Sequence, residues 1–327
     1  MLVYTAAFVM DMDKIAKNIA KIVVHLPNVQ TRSVKEMAEA IQSYTQRQHM
    51  LAHDYEVYHY RTDCMETVAL HHHDFYEVYL LLRGTVEYII ENRLYRVHPG
   101  DMILVSPLEL HQARIAEDSA AYERIVLWID RGYLEQLSSQ RTSLTQCFDT
   151  SQPGHSNLMR LSPTVSADFH RQLNELGELH RQDAYGSDLL AGSCLVQFLV
   201  RLNQLSQARS ATPPDYSSDQ VVDAVLQFIN DHYNDPLTLD SLSEKFFISK
   251  YHLLRKFNRQ VGTTVHRYIL QKRLLIAKQL LQSGVSPNEA CQHCGFGDYT
   301  NFYRAFKAEY RITPREFLQS TREEHGG

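Results

Sequence analysis

Two stretches near the C-terminus decide the fold: residues 238–261 read TLDSLSEKFFISKYHLLRKFNRQV, and residues 286–310 read SPNEACQHCGFGDYTNFYRAFKAEY. In the first stretch, Thr238 can cap a short helix, because its side-chain oxygen accepts from free backbone N–H groups. Ser249 can cap a second helix, which ends at Gly262, a residue that adopts the left-handed C-cap conformation without strain. Apolar residues recur every three or four positions. These features predict a helix, a turn and a second helix.

The second stretch repeats this arrangement. Ser286 is its N-cap and Glu289 lies three residues later, which completes a capping box. Asp298 can cap the next helix, and a further capping box at Thr313 starts a closing helix. A long helical run from Thr264 to Gly284 joins the two units. One such unit is a common false positive, but two at this separation suit consecutive major grooves of DNA, so the sequence predicts a DNA-binding domain.

Charge is distributed unevenly along the chain. The whole chain carries 33 Lys and Arg against 38 Asp and Glu, a formal net charge of -5. From Lys245 to Arg315 there are 13 basic and 3 acidic residues, which leaves 20 basic and 35 acidic residues elsewhere. Basic side chains supply the sequence-independent part of DNA affinity. A basic cluster alone is equally typical of a solvated helical face, but its coincidence with the tandem units favours DNA binding.

These residues resemble the signature of the AraC/XylS family of bacterial transcription regulators. The resemblance runs from about Asp219 to Leu318 and implies a regulator that responds to an effector. Two positions depart from the family pattern: Arg311 stands where glycine is frequent, and Cys291 where alanine is usual. Both departures bear on local geometry rather than on the fold. The matching residues are Ser249, Leu253, Arg255, Phe257, Gly262, Tyr268, Arg273, Ala277, Leu281, Glu289, Gly295, Phe296, Phe302, Phe306, Lys307, Thr313 and Pro314.

Helix phase predicts which side chains face DNA. Leu253 and Phe257 point to the core of one helix, and Phe302 and Phe306 to that of the other. The opposite faces project from the first turns, which are the part that enters the major groove, and similar positions contact bases in the family. The predicted base-reading residues are Lys250, Tyr251, Leu254, Arg255, Tyr299, Thr300, Tyr303 and Arg304, of which the two arginines suit guanine best. The predicted phosphate contacts are Lys256, Arg259, Asn301, Lys307 and Arg315.

Two polar features of this region receive a structural interpretation. Arg273 lies on the connecting helix, where an arginine at a packing seam usually binds a carboxylate, so an internal ion pair is favoured over a DNA contact. Cys291 and Cys294 flank His293 and look like half of a zinc site. A matching second half is lacking in the sequence, so we expect both thiols to pack in the core.

Upstream, from about Tyr55 to Asp130, short β-prone runs alternate with turn signals. This texture predicts an antiparallel barrel or sandwich. The sequence here resembles the cupin barrel motif, and in the AraC/XylS family that barrel is the effector-sensing domain. The predicted fold class is multidomain α+β, with an N-terminal cupin-like antiparallel β-barrel with helices and a C-terminal all-α tandem helix-turn-helix domain. The residues that carry the cupin resemblance are His71, His73, Glu77, Gly84, Pro99, Gly100, Asp101, Pro107 and His111.

Four of these residues, His71, His73, Glu77 and His111, are called here the histidine cluster. Three imidazoles and a carboxylate suit Zn, Fe, Mn or Ni. Alternatively the cluster is metal-free and hydrogen-bonds a polar effector, for instance a sugar, or is satisfied within the barrel. No cofactor is required by the sequence. Whether the barrel binds a divalent metal is a question that the sequence does not answer.

Two rival functions come from other classes. A metal-dependent cupin enzyme with an accessory DNA-binding domain is one, but an enzyme has no use for a two-groove reader, so no enzymatic activity is expected. A nucleoid-type DNA binder without a ligand is the other, and it leaves the histidines unexplained.

The chain is expected to contain four segments: residues 1–50 of uncertain role, residues 51–206 for effector binding and dimerisation, a linker at 207–217, and the tandem domain at 218–320. Within the first segment, residues 11–24 and 33–45 look helical. The linker is expected because apolar periodicity gives way there to Ala, Ser, Thr, Pro and Asp.

The expected partners are double-stranded DNA, a small-molecule effector and RNA polymerase. An apolar stripe from Leu189 to Leu205 predicts a homodimer, as the family resemblance implies, unless the whole stripe is buried within one chain. No apolar run is long enough to span a bilayer, so no membrane partner is expected. Five scattered cysteines indicate no disulfide framework, which favours a cytoplasmic location.

Overall fold

The structure is a computed structural model that describes residues 41–42, 49–62, 69–115, 121–152, 154–208 and 219–325. The described residues from Gln42 onward belong to one compact unit. The helix expected at 11–24 and most of the linker expected at 207–217 lie outside the described residues. The helix expected over 33–45 is wrong at Ile41–Gln42, which are extended and form a short strand, because sheet pairing replaces intrahelical hydrogen bonds there.

The upstream domain is built on antiparallel strands, as the sequence texture predicts. The larger sheet contains β2-β8-β3-β6-β9 in that order, and a smaller sheet has the order β5-β4-β7. Alternation along β3 explains how the larger sheet is buried on both faces: Val78 and Leu80 face the helices, whereas Tyr79 and Leu81 face the smaller sheet. The strands are β1 (Ile41–Gln42), β2 (Tyr55–Thr62), β3 (Tyr76–Arg83), β4 (Val86–Ile90), β5 (Arg93–Val97), β6 (Met102–Val105), β7 (His111–Ile115), β8 (Tyr122–Ile129) and β9 (Leu158–Met159).

Three helices cover the outer face of the larger sheet: α1 (Arg131–Leu137), α2 (Pro163–His180) and α3 (Ser187–Gln207). The apolar stripe of α3 divides in two. Leu195, Leu199 and Leu202 are fully buried against the sheet, whereas Leu189 and Leu190, in its first turn, are 76% and 60% exposed. No described helix is both long enough and apolar enough to cross a membrane.

Seven helices form the C-terminal domain around two small cores. The helix α7 contributes to both, with Tyr268 in the first core and Leu281 in the second, so it links the two units as one continuous rod. The side chains of Thr238, Ser249, Thr264, Ser286 and Asp298 cap helices as the sequence predicts. The helices are α4 (Gln220–Asp231), α5 (Leu239–Lys245), α6 (Lys250–Val261), α7 (Val265–Gln282), α8 (Pro287–His293), α9 (Tyr299–Tyr310) and α10 (Pro314–His325).

The two polar features of this domain have different outcomes. Cys291 and Cys294 are 4% and 0% exposed and pack in the second core, as expected. Arg273 has a structural role, but the expected carboxylate partner is wrong. Its Nε and Nη2 atoms donate to the backbone oxygens of Tyr233 and Asp235, both at 2.7 Å. Backbone carbonyls of the loop between α4 and α5 supply these acceptors, so no acidic side chain is needed.

Replacing Arg311 with glycine is expected to stabilise the protein by about 1 kcal/mol, because the left-handed conformation costs a non-glycine residue roughly 1–2 kcal/mol and glycine returns part of that gain as chain entropy. Arg311 ends α9 with a φ of 62°. Thermal unfolding measures the change. Arg304→Gly, in the interior of the same helix, is the matched control and should lower stability by about 1 kcal/mol. A loss of stability in Arg311→Gly would contradict the expectation.

Candidate DNA-reading surface and histidine cluster

The first candidate reading surface lies on α6. Its N-cap, Ser249, accepts a hydrogen bond from the backbone of His252, and Leu253 and Phe257 are fully buried, as their spacing predicts. Tyr251 is 76% and Leu254 is 41% exposed, so the first turns present apolar side chains to solvent. Lys250 and Arg255 are exposed as well. This face can enter a major groove without any rearrangement of the domain core.

The second candidate surface lies on α9 and repeats the first in phase. Arg304 lies six residues after the cap Asp298, as Arg255 does after Ser249. Thr300 and Arg304 are exposed. Tyr299 is 38% exposed, and its ring centroid lies 6.5 Å from that of the half-buried Tyr303. We call α6 and α9 the recognition helices.

The candidate phosphate contacts differ in solvent exposure and in ion pairing. Arg259, Asn301, Lys307 and Arg315 are exposed. Lys256 is only partly exposed, and its Nζ atom lies 2.7 Å from Asp219 Oδ2 in an ion pair within its own domain. Four of the five residues are therefore available at the surface, and the fifth, Lys256, is in an ion pair with Asp219.

A surface ion pair also involves one of the base-reading candidates. Lys250 Nζ lies 2.7 Å from Asp240 Oδ1, with both side chains more than half exposed. Ion pairs of that kind are worth less than about 1 kcal/mol, so the pair can open for a DNA contact.

The structure assembles the histidine cluster at one end of the barrel interior. Ligating atoms of His73, Glu77 and His111 all lie within 4.8 Å of one another. His71 lies beside them, with its ring centroid 4.2 Å from that of His111. The strand β3 supplies Glu77, β7 supplies His111, and the segment before β3 supplies the other two histidines. Three separate segments of the sequence thus contribute to one site.

Backbone hydrogen bonds orient the imidazoles. Nδ1 of His73 lies 2.9 Å from the carbonyl oxygen of Phe75, and Nδ1 of His111 lies 2.8 Å from that of Glu109. An Nδ1–H that donates to a carbonyl leaves the Nε2 lone pair free for a ligand. The Nε2 atoms of His73 and His111 are buried and have no hydrogen-bond partner among the described residues. These atoms can accept a hydrogen bond from a ligand or bind a cation.

Glu77 is the buried acid of the histidine cluster. Tyr88 Oη donates to Glu77 Oε1 at 3.0 Å, and Trp128 Nε1 donates to Glu77 Oε2 at 2.8 Å. His73 Nε2 lies 3.4 Å from Glu77 Oε2. A proton, a ligand hydroxyl or a metal ion between these two atoms can interact with both of them.

Burial controls the protonation of the cluster. It is the main cause that lowers the pKa of His71 to about 4, and the neighbouring His73 adds to the effect. Burial likewise lowers the pKa of His111 well below its usual range. Burial opposes ionisation of Glu77, but His73 and the other imidazoles outweigh it and lower the pKa of that carboxyl. At neutral pH, His71 and His111 are therefore neutral and able to accept hydrogen bonds or bind a metal.

Several residues of this site could not be identified from the sequence. Tyr88 and Trp128, which hold Glu77, lie on other strands and carry no motif. His72 and Asp74 lie between and beside the cluster histidines, yet they contact the C-terminal domain: His72 Nε2 lies 3.0 Å from Tyr310 Oη. Strand alternation next to His71 and His73 is the signal that could have indicated an outward-facing role for these two residues.

Comparison with known proteins agrees with this geometry. The family described as AraC-like ligand binding domain matches residues 55–199, and the family described as helix-turn-helix domain matches residues 242–320. The HTH-type transcriptional activator RhaS of Salmonella paratyphi A is 27% identical over 252 residues, which are 76% of this chain and 87% of that protein. RhaS of Salmonella typhimurium is 26% identical over 254 residues, with the same coverage.

Two solved structures are also similar in part. The C-terminal domain of the response regulator yesN from Fusobacterium nucleatum is 32% identical and covers 31% of this chain and 99% of that one, with a TM-score of 0.30. ToxT from Vibrio cholerae with a bound unsaturated fatty acid is 14% identical and covers 81% and 95%, with a TM-score of 0.37. These scores are too low to support an inference about ligand or mechanism. Both domains of the chain match families of AraC-type regulators. The chain therefore belongs to the AraC family and is a DNA-binding transcription regulator with an N-terminal cupin-like ligand-binding domain.

Proposed function

We propose that each chain reads an asymmetric DNA site through its two recognition helices and that a small polar effector in the histidine cluster controls this binding. The observation that carries the proposal is the pair of buried Nε2 atoms without a hydrogen-bond partner, His73 and His111, beside the buried carboxylate of Glu77. The functional limits we assign are residues 51–206 for the effector domain and 218–320 for the DNA-binding domain.

Base reading is assigned to the exposed N-terminal turns of the recognition helices. Arg255 and Arg304 occupy matching positions, and each guanidinium can donate to O6 and N7 of one guanine. Because each chain carries two such helices in different sequence contexts, its site consists of two unlike halves about one turn of DNA apart. The proposed base-reading set is Lys250, Tyr251, Leu254, Arg255, Tyr299, Thr300, Tyr303 and Arg304. The proposed phosphate set is Lys256, Arg259, Asn301, Lys307 and Arg315, with Lys256 required to leave Asp219.

The chemistry of the histidine cluster favours an effector that carries hydroxyl groups. The buried Nε2 atom of the neutral His111 imidazole accepts a hydrogen bond, and Glu77 accepts as well, so the site favours a ligand that carries donors. A sugar or a similar polar metabolite supplies several hydroxyl donors at close spacing. By analogy with the activator RhaS, we propose that effector binding increases transcription through contact with RNA polymerase.

A divalent metal is the second candidate occupant, because two neutral imidazoles and a carboxylate with ordered Nδ1 partners fit an ion such as Zn or Fe. His73, Glu77 and His111 would hold it, and it would offer the effector a Lewis-acidic contact. Metal analysis of protein purified without a histidine tag decides between the two. Less than about a tenth of an equivalent, with no gain on reconstitution, would rule the metal out.

We also propose a cytoplasmic homodimer. The exposed Leu189 and Leu190 start α3 and form an apolar patch that a second copy can cover. Sedimentation at micromolar concentration tests this proposal. A monomer both with and without DNA would contradict it.

The main experiment is a thermal-shift screen of a metabolite library that contains sugars, organic acids and fatty acids, followed by binding to DNA from upstream of the chain's own gene. Stabilisation by a hydroxyl-rich compound that also changes DNA affinity supports the proposal. Stabilisation by apolar acids alone would contradict the assigned effector class, and no stabilising compound together with unregulated DNA binding would favour a ligand-free DNA binder.

Replacing thymine with uracil in the half-site read by α6 is expected to weaken binding about fourfold per contacted base, because each base loses one methyl group and about 0.8 kcal/mol of apolar contact. The exposed Tyr251 and Leu254 carry this prediction. The chain with both residues changed to alanine is the control, since it has no apolar contact left to lose. Equal sensitivity of this variant to uracil would place the apolar contact elsewhere. Fluorescence anisotropy measures each affinity.

A further inference from the structure

Two short segments of the barrel carry side chains in opposite directions. Residues 71–74 and 111–114 are joined by a backbone pair in which His71 N donates to His111 O at 3.1 Å, and His111 N donates to His71 O at 2.8 Å. His71, His73 and His111 belong to the histidine cluster, and Ala113 packs in the barrel interior. Alternation turns the intervening residues outward, toward the C-terminal domain.

The outward residues of the first segment contact the second helix-turn-helix unit and the connecting helix α7. His72 is 4% exposed, and its Nε2 atom lies 3.0 Å from Tyr310 Oη. Tyr310 is the last residue of the recognition helix α9. Asp74 Oδ2 accepts from Lys278 Nζ at 3.1 Å. The barrel thus holds the C-terminal end of one recognition helix.

The outward residues of the second segment contact the first unit in the same way. Arg114 donates through Nη1 to the carbonyl oxygen of Arg259 at 3.0 Å and through Nη2 to that of Asn258 at 2.9 Å. Both carbonyls lie in the last turn of α6, where freed acceptors and the negative end of the helix dipole favour a cation. A Cβ atom at Gly262 would clash with the side-chain ends of Gln112 and Arg114, so a larger residue there would displace both side chains.

A third contact joins the barrel to α7, the helix that connects the two units. Glu91, at the turn between β4 and β5, accepts from Tyr268 Oη at 3.0 Å and lies 3.4 Å from Lys272 Nζ, both on α7. The same carboxylate accepts from the backbone of Leu110 at 3.0 Å, next to the second segment. The barrel therefore contacts the connector and the C-terminal ends of both recognition helices, and the reading residues other than the half-buried Tyr303 stay exposed.

We propose that His72 and Arg114 are positioning residues, which hold the two recognition helices at a fixed relative placement and thereby set the spacing of half-sites that the chain accepts. This proposal rests on the proposed assignment of α6 and α9 as the reading elements. A hold at the C-terminal end can tilt a helix in its groove without covering the side chains that read bases. Because His72 lies between two cluster histidines and Arg114 lies three residues after His111, both can respond to a change in the cluster through a short stretch of backbone.

The test uses the full chain and no added effector. Selection from random DNA with the wild-type protein defines the preferred site, and derivatives with one base pair inserted or removed between its halves are then compared by anisotropy. The chain with His72→Phe and Arg114→Met keeps ring and stem volume but loses the hydrogen bonds. Arg96→Met with His53→Phe, at exposed barrel positions, is the matched control.

For the wild type and the control we expect the altered spacing to weaken binding at least about tenfold, and for the double variant less than about threefold, because the double variant lacks the hydrogen bonds that hold the two helices. Thermal unfolding should show a cooperatively folded double variant, and its affinity for an isolated half-site should stay unchanged. Wild-type discrimination between spacings in a folded double variant would overturn the proposal. If the reading assignment itself is wrong, Arg255→Ala and Arg304→Ala will leave DNA binding unchanged, an outcome distinct from failure of the positioning residues alone.

Discussion

Replacing both Arg255 and Arg304 with alanine is expected to weaken binding to the selected site by roughly 2–6 kcal/mol, which is about thirtyfold to more than ten-thousandfold, since each bidentate contact to guanine contributes about 1–3 kcal/mol. Each single variant should relax preference at one base position, in one half of the site for Arg255 and in the other for Arg304. Selection from random DNA with each variant measures this directly.

The matched control for the two arginines is Lys307→Ala, on the same helix as Arg304 but assigned to a phosphate. Its loss of affinity should be similar on all sequences, and it should reduce the slope of log affinity against log salt by about 1. Unchanged specificity in both arginine variants, with the Lys307 variant behaving as described, would show that bases are read from a different face of the recognition helices.

Substituting His73 with alanine is expected to abolish the response to effector and to leave DNA affinity without effector unchanged. Coupling between two sites typically changes affinity by about 5–150-fold, and this ratio should fall to about 1 because one of the two buried Nε2 acceptors is gone. A reporter assay and DNA binding with and without the compound found by the screen measure the two effects separately.

The His73 side chain also stacks on Phe75, with ring centroids 3.9 Å apart, so its removal leaves a cavity. His111→Asn is therefore tested beside it, and thermal unfolding reports whether each variant is folded. His53→Ala, at an exposed position of the same domain, should keep the full response. A folded His111→Asn variant that still responds like the wild type would exclude the cluster as the effector site.

Much of the C-terminal domain could be predicted because its signals are local. A side-chain cap such as Ser249 acts on a backbone group three residues away, and Leu253 and Phe257 share a face through helix geometry alone. The same locality placed His71 and His73 on one side of an extended segment. Each of these predictions needed only a few neighbouring residues.

The predictions that failed or were missed depended on distant partners. Arg273 binds the carbonyls of Tyr233 and Asp235 instead of a carboxylate, because the end of another helix lies there. Lys256 remains a proposed phosphate contact, but its ion pair with Asp219 across the domain was not predicted. Ile41–Gln42 forms a strand where local pattern favoured a helix, since sheet pairing outweighs weak helix propensity.

By itself, the sequence determined that the chain carries two helix-turn-helix units and a histidine-bearing barrel, because caps, periodicity and strand alternation act over a few residues. Only the tertiary structure decided that the barrel holds the ends of both recognition helices. His72 and Tyr310 are 238 residues apart, and Arg114 and Asn258 are 144 apart. Contacts at such separations depend on how folded domains pack against each other, and no local pattern of residues encodes that packing.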